Sequence, residues 1–171
     1  ADTAGAALSG VGGGRVRLLA LDASTTAVGW AVFENGEYQR SGVWLPQNHP
    51  WWLRVRRIGA WLQSEIDTRD PDRFAYEQAT GNHDNVHTHR LLGAVEYEAR
   101  RVVHSLYPAE AFITVTASQV RASGCHKEAL DVAEAIKGAP LDDKHPGDEA
   151  DAIGVGLAAL SKIKEAQWIN N

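Results

Sequence analysis

Residues 15–43, RVRLLALDASTTAVGWAVFENGEYQRSGV, decide the fold. Arg15 to Leu21 is apolar for most of its length, as a central strand covered on both faces must be. A turn at Ala23 to Thr26 leads into a second strand, Val28–Glu34. Asn35-Gly36 is a two-residue hairpin signal, because both central turn positions need a positive φ that Asn and Gly tolerate. Glu37–Val43 is then the return strand, and the chain opens as a three-stranded antiparallel meander.

Beyond this stretch the period of the apolar residues lengthens. After Pro50, WWLRVRRIGAWLQSEI places Leu53, Ile58, Trp61, Leu62 and Ile66 near one helical face. Asp70-Pro71-Asp72 interrupts it, and Arg73–Glu77 reads as a short strand. A polar loop, Gln78 to Asn85, precedes a long helix predicted to reach about Leu106, with Leu92, Val95, Ala99, Val102 and Leu106 as its apolar stripe. Phe112–Thr116 is a β-branched strand. Helices follow: a short one from Ala117, another near Lys127–Lys137, and a last one from about Asp148 to Ala166. The order βββαβαβααα predicts an α/β fold: a five-stranded mixed sheet, three antiparallel strands then parallel ones, with helices on both faces. It is the order of the ribonuclease H-like fold.

A chain of 171 residues is one domain's length, with residues 15–171 as that domain and ADTAGAALSGVGGG, residues 1–14, as a flexible leader. Cys125 is the only cysteine, which excludes an intramolecular disulfide. Apolar stretches end well short of a bilayer's width, so a cytoplasmic setting is expected. The net charge of −5 argues against a uniformly basic nucleic-acid binder. Positive charge is nonetheless concentrated, at Arg54, Arg56 and Arg57 and at Arg100 and Arg101. A set of acidic metal ligands would also depress the formal count.

Four carboxylates stand where such a fold gathers side chains. Asp22 ends the first strand and Glu77 the fourth; Asp148 and Asp151 lie three apart at the start of the last helix, on one face. Each alone has an ordinary explanation: turn residue, ion-pair partner, helix cap, first-turn acid. Together they make a costly concentration of negative charge that hard divalent cations relieve. Two such ions about 3.5–4 Å apart can activate water and stabilise the leaving oxygen of a phosphodiester.

The same residues resemble the RuvC family of junction resolvases. LALDASTTAVGWAVF is similar to the family's first-strand motif, AYEQA to its second, and DEADAIGVGLAAL to its closing one, in order, across about Arg15 to Leu160. The resemblance implies an endonuclease that resolves four-way (Holliday) DNA junctions by paired symmetric nicks, in recombination and repair. It also implies a homodimer with two active sites, two Mg²⁺ per site with Mn²⁺ able to substitute, and branch-migration machinery as a partner. Carried over by position, Asp22, Glu77, Asp148 and Asp151 are metal ligands, and Lys127 matches a basic position near the active site. Thr80, Asn82, His83 and Arg121 are DNA-binding candidates. Leu92, Val95 and Ala99 are candidates for the dimer interface, with core packing as the alternative.

Three features depart from the pattern. Ala23-Ser24 stands where the family has Pro-Gly, and Thr80 stands where it has a stacking aromatic residue. The loop GNHDNVHTHR carries His83, His87 and His89, a spacing open to transition metals but more simply explained as a polar loop touching phosphates. Its oddity and the short chain fit a bacteriophage version, active in a bacterial cell or phage-infected host. Competing readings are another branched-DNA or RNA–DNA hybrid nuclease, an actin-like phosphate-binding domain, and a catalytically silent nucleic-acid binder. Length and the lack of an adenosine-binding glycine motif oppose the second, and the four acids oppose the third.

Overall fold

The computed structural model describes residues 15–78 and 86–169, with side chains to residue 166. Its strands are β1 (Arg17–Ala23), β2 (Val28–Glu34), β3 (Glu37–Trp44), β4 (Arg73–Glu77) and β5 (Phe112–Val115). Its helices are α1 (Trp51–Arg69), α2 (Val86–His104), α3 (Ala117–Ala122), α4 (Leu130–Lys137) and α5 (Pro146–Ile169), with a 3-10 turn at Ala109–Ala111. They form one sheet in the order β3-β2-β1-β4-β5. The β1–β2 and β2–β3 pairs are antiparallel, whereas β1–β4 and β4–β5 are parallel. The predicted α/β class, five strands and mixed pairing, antiparallel then parallel, are all present.

The hairpin forms as its sequence dictates. Asn35 and Gly36 take φ of 52° and 85°, and the Asn35 side chain accepts the Val16 backbone N–H at 3.0 Å. Two-residue periodicity then sorts the β1 side chains. Leu19, Leu21 and Ala23 join the core under α1 and α2, while Leu18 and Ala20 join the core under α3, α4 and α5.

Helix α5 is apolar nearly all round because it lies between the sheet and α3 and α4, and Ala150, Ala152, Ile153 and Val155 are fully buried. Its close approach depends on glycine. A Cβ on Gly154 would stand 1.9 Å from the Cys125 carbonyl oxygen. One on Gly29 of β2 would stand 1.9 Å from the carbonyl oxygen of Asp148.

Of the two readings open for Val95 and Ala99, core packing is the one found, and some element bounds need correction. Val95 and Ala99 are 0% and 1% exposed and belong to the α1–α2 core, so they offer no surface to a second subunit. Leu106 lies past the end of α2 and is exposed, because the helix stops at His104 and the stripe loses its period there. Lys127 sits in a turn ahead of α4, which begins at Leu130. Residues 1–14, and the loop positions Thr80, Asn82 and His83, lie outside the described residues. Among the described residues no helix is long and apolar enough to cross a membrane.

Candidate active site

Strand alternation and one parallel pairing bring the first two acids together. Asp22 falls on the α5 side of β1, in phase with Leu18 and Ala20. Glu77 falls on the same side of β4, in phase with Ala75. The two strands are paired up to Leu21–Tyr76, and the acids stand one step beyond. Neighbouring strands are about 4.8 Å apart, so the two carboxylates are neighbours across that step.

The other two arrive with α5. Gly29 is the β2 residue paired with Asp22, and the backbone of Asp148 occupies the space a side chain at Gly29 would fill. The first turn of α5 is thereby seated beside the end of β1. Asp151, one turn further on, accepts the Lys127 backbone N–H at 2.7 Å. Asp148 is hydrogen-bonded to Nδ1 of His145 at 3.1 Å. All four acids are half-buried and line one open cavity of about 630 Å³, with Arg121, His126, Lys127, Lys144 and His145 around them.

Electrostatics mark the cavity as charge-frustrated. Burial pushes the Asp22 carboxyl well above the usual carboxylate range, and repulsion from Asp151, Glu77 and Asp148 pushes it further, against a weaker pull from Lys127. Burial and Asp151 raise Glu77, opposed by Lys127 and Arg121. Burial also raises Asp151, opposed by its hydrogen bond from the Lys127 backbone, by the Lys127 charge and by His126. Among the described residues, no three His, Cys, Asp or Glu groups close up into a ready-made metal cage; the acids flank the space rather than fill it. Four hard oxygen donors with this much mutual repulsion fit divalent magnesium or manganese. Asp22, Glu77, Asp148 and Asp151 are the residues that would hold them.

The turn after Asp22 shows how Ala23-Ser24 is accommodated. The Ser24 hydroxyl accepts the backbone N–H groups of Thr26 and Ala27, both at 3.2 Å, and the Ser24 N–H donates to the Ala27 carbonyl at 2.9 Å. Hydroxyl bonding replaces the rigidity a proline would supply. Arg121 is delivered to the cavity rim by α3, whose start is held by a reciprocal capping box between Thr116 and Gln119. His87 and His89 are exposed in the first turn of α2. Leu92, half-buried, lines the cavity.

Sequence reasoning missed His145, His126 and Lys144, whose only signal was nearness to motif residues. It also missed Glu149, which is 0% exposed and does not line the cavity. One oxygen of Glu149 takes the Ser41 hydroxyl at 2.5 Å and Lys137 Nζ at 2.9 Å, and the other takes the Asp142 backbone N–H at 2.7 Å. That carboxylate ties α5 to β3, α4 and the 138–145 connection.

No family model matches the sequence, and no curated protein matches it either. Solved structures do. The chain is similar to Thermus thermophilus RuvC in complex with a Holliday junction substrate, with a TM-score of 0.70 at 17% identity over 87% of this chain and 96% of that one. A second Thermus thermophilus RuvC structure gives 0.61 at 19% identity over 88% and 97%. The yeast mitochondrial Holliday junction resolvase Ydc2 gives 0.58 at 10% identity over 88% and 81%. A bacterium and a yeast mitochondrion supply all three. With its meander, two parallel strands and buried last helix in this order, the chain has the fold of the RuvC-type Holliday junction resolvases.

Proposed function

We propose that this chain is a divalent-metal-dependent endonuclease that nicks four-way DNA junctions. The observation that carries the reading is the convergence of Asp22, Glu77, Asp148 and Asp151 on one open cavity, with too few cations around them to balance their charge. Bound between these acids, two divalent ions would supply a metal-bound nucleophile and Lewis-acid stabilisation of the leaving oxygen. The chain's own residues do the rest. Arg121, Lys127 and Lys144 present positive charge at the cavity for a phosphodiester. The Lys127 backbone and His145 orient Asp151 and Asp148.

Paired nicks need two such sites, and we take the working form to be a homodimer. With Val95 and Ala99 buried, the exposed face of α2 carrying Val86, Gly93 and Tyr97 is the part of that helix left for a second copy. Sedimentation with Tyr97→Glu checks it: the variant should be monomeric.

The deciding experiment offers a synthetic four-way junction, a linear duplex and an RNA–DNA hybrid, each with Mg²⁺. Symmetric nicks in the junction alone are expected. Cleavage confined to the hybrid would overturn the substrate, and no cleavage of any would overturn the enzyme.

A further inference from the structure

Between Glu37 and Glu65 the chain holds Arg40, Arg54, Arg56 and Arg57, and no carboxylate. The same stretch exposes three large apolar side chains: Leu45 at 43%, Trp51 at 46% and Trp52 at 52%. Among the described side chains the other tryptophans have ring or cation partners. Trp44 stacks on Trp61 with ring centroids 5.3 Å apart, and the Arg69 guanidinium lies 4.2 Å over the Trp30 ring. Among the described residues Trp51 and Trp52 have no such partner, and exposed indoles side by side are suited to a recognition surface.

Their place in the fold matters. Trp44 closes β3 and pairs with Val28, which pairs with Ala23, the neighbour of Asp22. The chain therefore leaves β3 at the carboxylate end of the sheet, and α1 starts there with Trp51. Arginines follow within two turns. Arg57 donates to His49 Nε2 at 2.9 Å, and Arg54 has an enclosed Nε with no acceptor among the described residues. Glu98 of α2 lies near Arg56 but is itself held by Arg101. Among the described residues none of the three arginines is in a contact ion pair with a carboxylate.

We propose that Trp51 and Trp52, with Arg54, Arg56 and Arg57, form a second nucleic-acid contact outside the carboxylate cavity, which stacks on unpaired bases beside the branch point. This rests on the junction-nuclease reading. Arginines without carboxylates complement phosphate, and indole faces complement bases that have left their stack. A continuous duplex hides its base faces and offers the tryptophans nothing, so the surface favours branched or single-stranded DNA.

The test uses the full chain with EDTA, measuring anisotropy of a labelled four-way junction, a single-stranded oligonucleotide and a linear duplex. The double variant Trp51→Ala/Trp52→Ala should bind the junction and the single strand about tenfold or more weakly, as loss of base stacking predicts. Its duplex affinity and the salt slope of its junction binding should stay put. Arg56→Gln should instead lower the salt slope by about one. Unchanged affinity, equal loss on all three DNAs, or loss that follows dissociation of a dimer would each overturn the contact, the last by giving the patch to a second copy. Nicking in Mg²⁺ separates the two readings. The tryptophan variant should raise KM at constant kcat; a wild type that binds through these tryptophans and never nicks would sink the nuclease and leave this surface standing.

Discussion

Helix α5 opens with two kinds of acid within two residues of each other, and their fates differ. Glu149 is fully buried, yet its two oxygens are met by a hydroxyl, an ammonium and a backbone N–H. Asp148 and Asp151 are only half-buried, yet they face Asp22 and Glu77 across a cavity where repulsion outweighs the cations. A buried charge whose partners are supplied by the chain is architecture. A cluster the chain leaves in deficit awaits charge from elsewhere, and that asymmetry separates a fastening from a reaction site.

Breaking the fastening should have the largest effect. Glu149→Ala strands the Lys137 ammonium and should cost about 3–5 kcal/mol, read by calorimetry as a sharp fall in Tm. Pairing Glu149→Leu with Lys137→Met should restore the part owed to the stranded ammonium but not the part owed to the Ser41 hydroxyl and the Asp142 N–H, which still lose their acceptor. An unchanged Tm in the single variant would erase the contrast.

The reaction site should respond in rate instead. Asp22→Asn should lower single-turnover nicking at least about a hundredfold, the loss of several kcal/mol of transition-state stabilisation, with junction affinity unchanged. Nicking at a comparable rate would remove Asp22 from the chemistry. Between the two regions stands Gly29. Gly29→Ala must push Asp148 away and should cost about 1–3 kcal/mol as overpacking, with nicking lost beyond what the fall in folded fraction explains. Loss of stability with nicking intact would mean the site tolerates displacement.

The smallest effect has the most telling sign. The Asp22 carboxyl is raised in the folded protein, so its favourable contribution is present below the ordinary carboxylate range and is lost as pH rises through the raised value. At neutral pH, with EDTA, Asp22→Asn should therefore melt higher than wild type by roughly 2–4 °C, the shift about 1 kcal/mol produces in a chain of this size. Added Mn²⁺ should raise the wild type and barely move the variant. A variant that melts lower than wild type without metal would show the acids to be compensated after all.

Much of this was legible in local pattern. The hairpin followed from Asn35-Gly36, the buried central strand from its apolar run, and the break before β4 from Asp70-Pro71-Asp72, because each is decided by a few neighbouring residues. The four acids were readable as strand-end and helix-start positions. Helix ends were not, as Leu106 and the late start of α4 show, since fraying and capping turn on contacts a pattern does not carry. The α2 stripe at Val95 and Ala99 was read correctly as apolar and left open as to partner: periodicity says that a face is covered, not by what.

By itself, then, the order of residues determined the element sequence, the sheet's mixed character and which carboxylates end strands, all properties of short range. Only the tertiary structure decided that Glu149 is a fastening while its neighbours are not, that Gly29 seats Asp148 beside Asp22, and that His145 and Arg121 border the same cavity. Those outcomes depend on groups far apart in the chain, whose meeting is set by packing and by the desolvation cost of each charge.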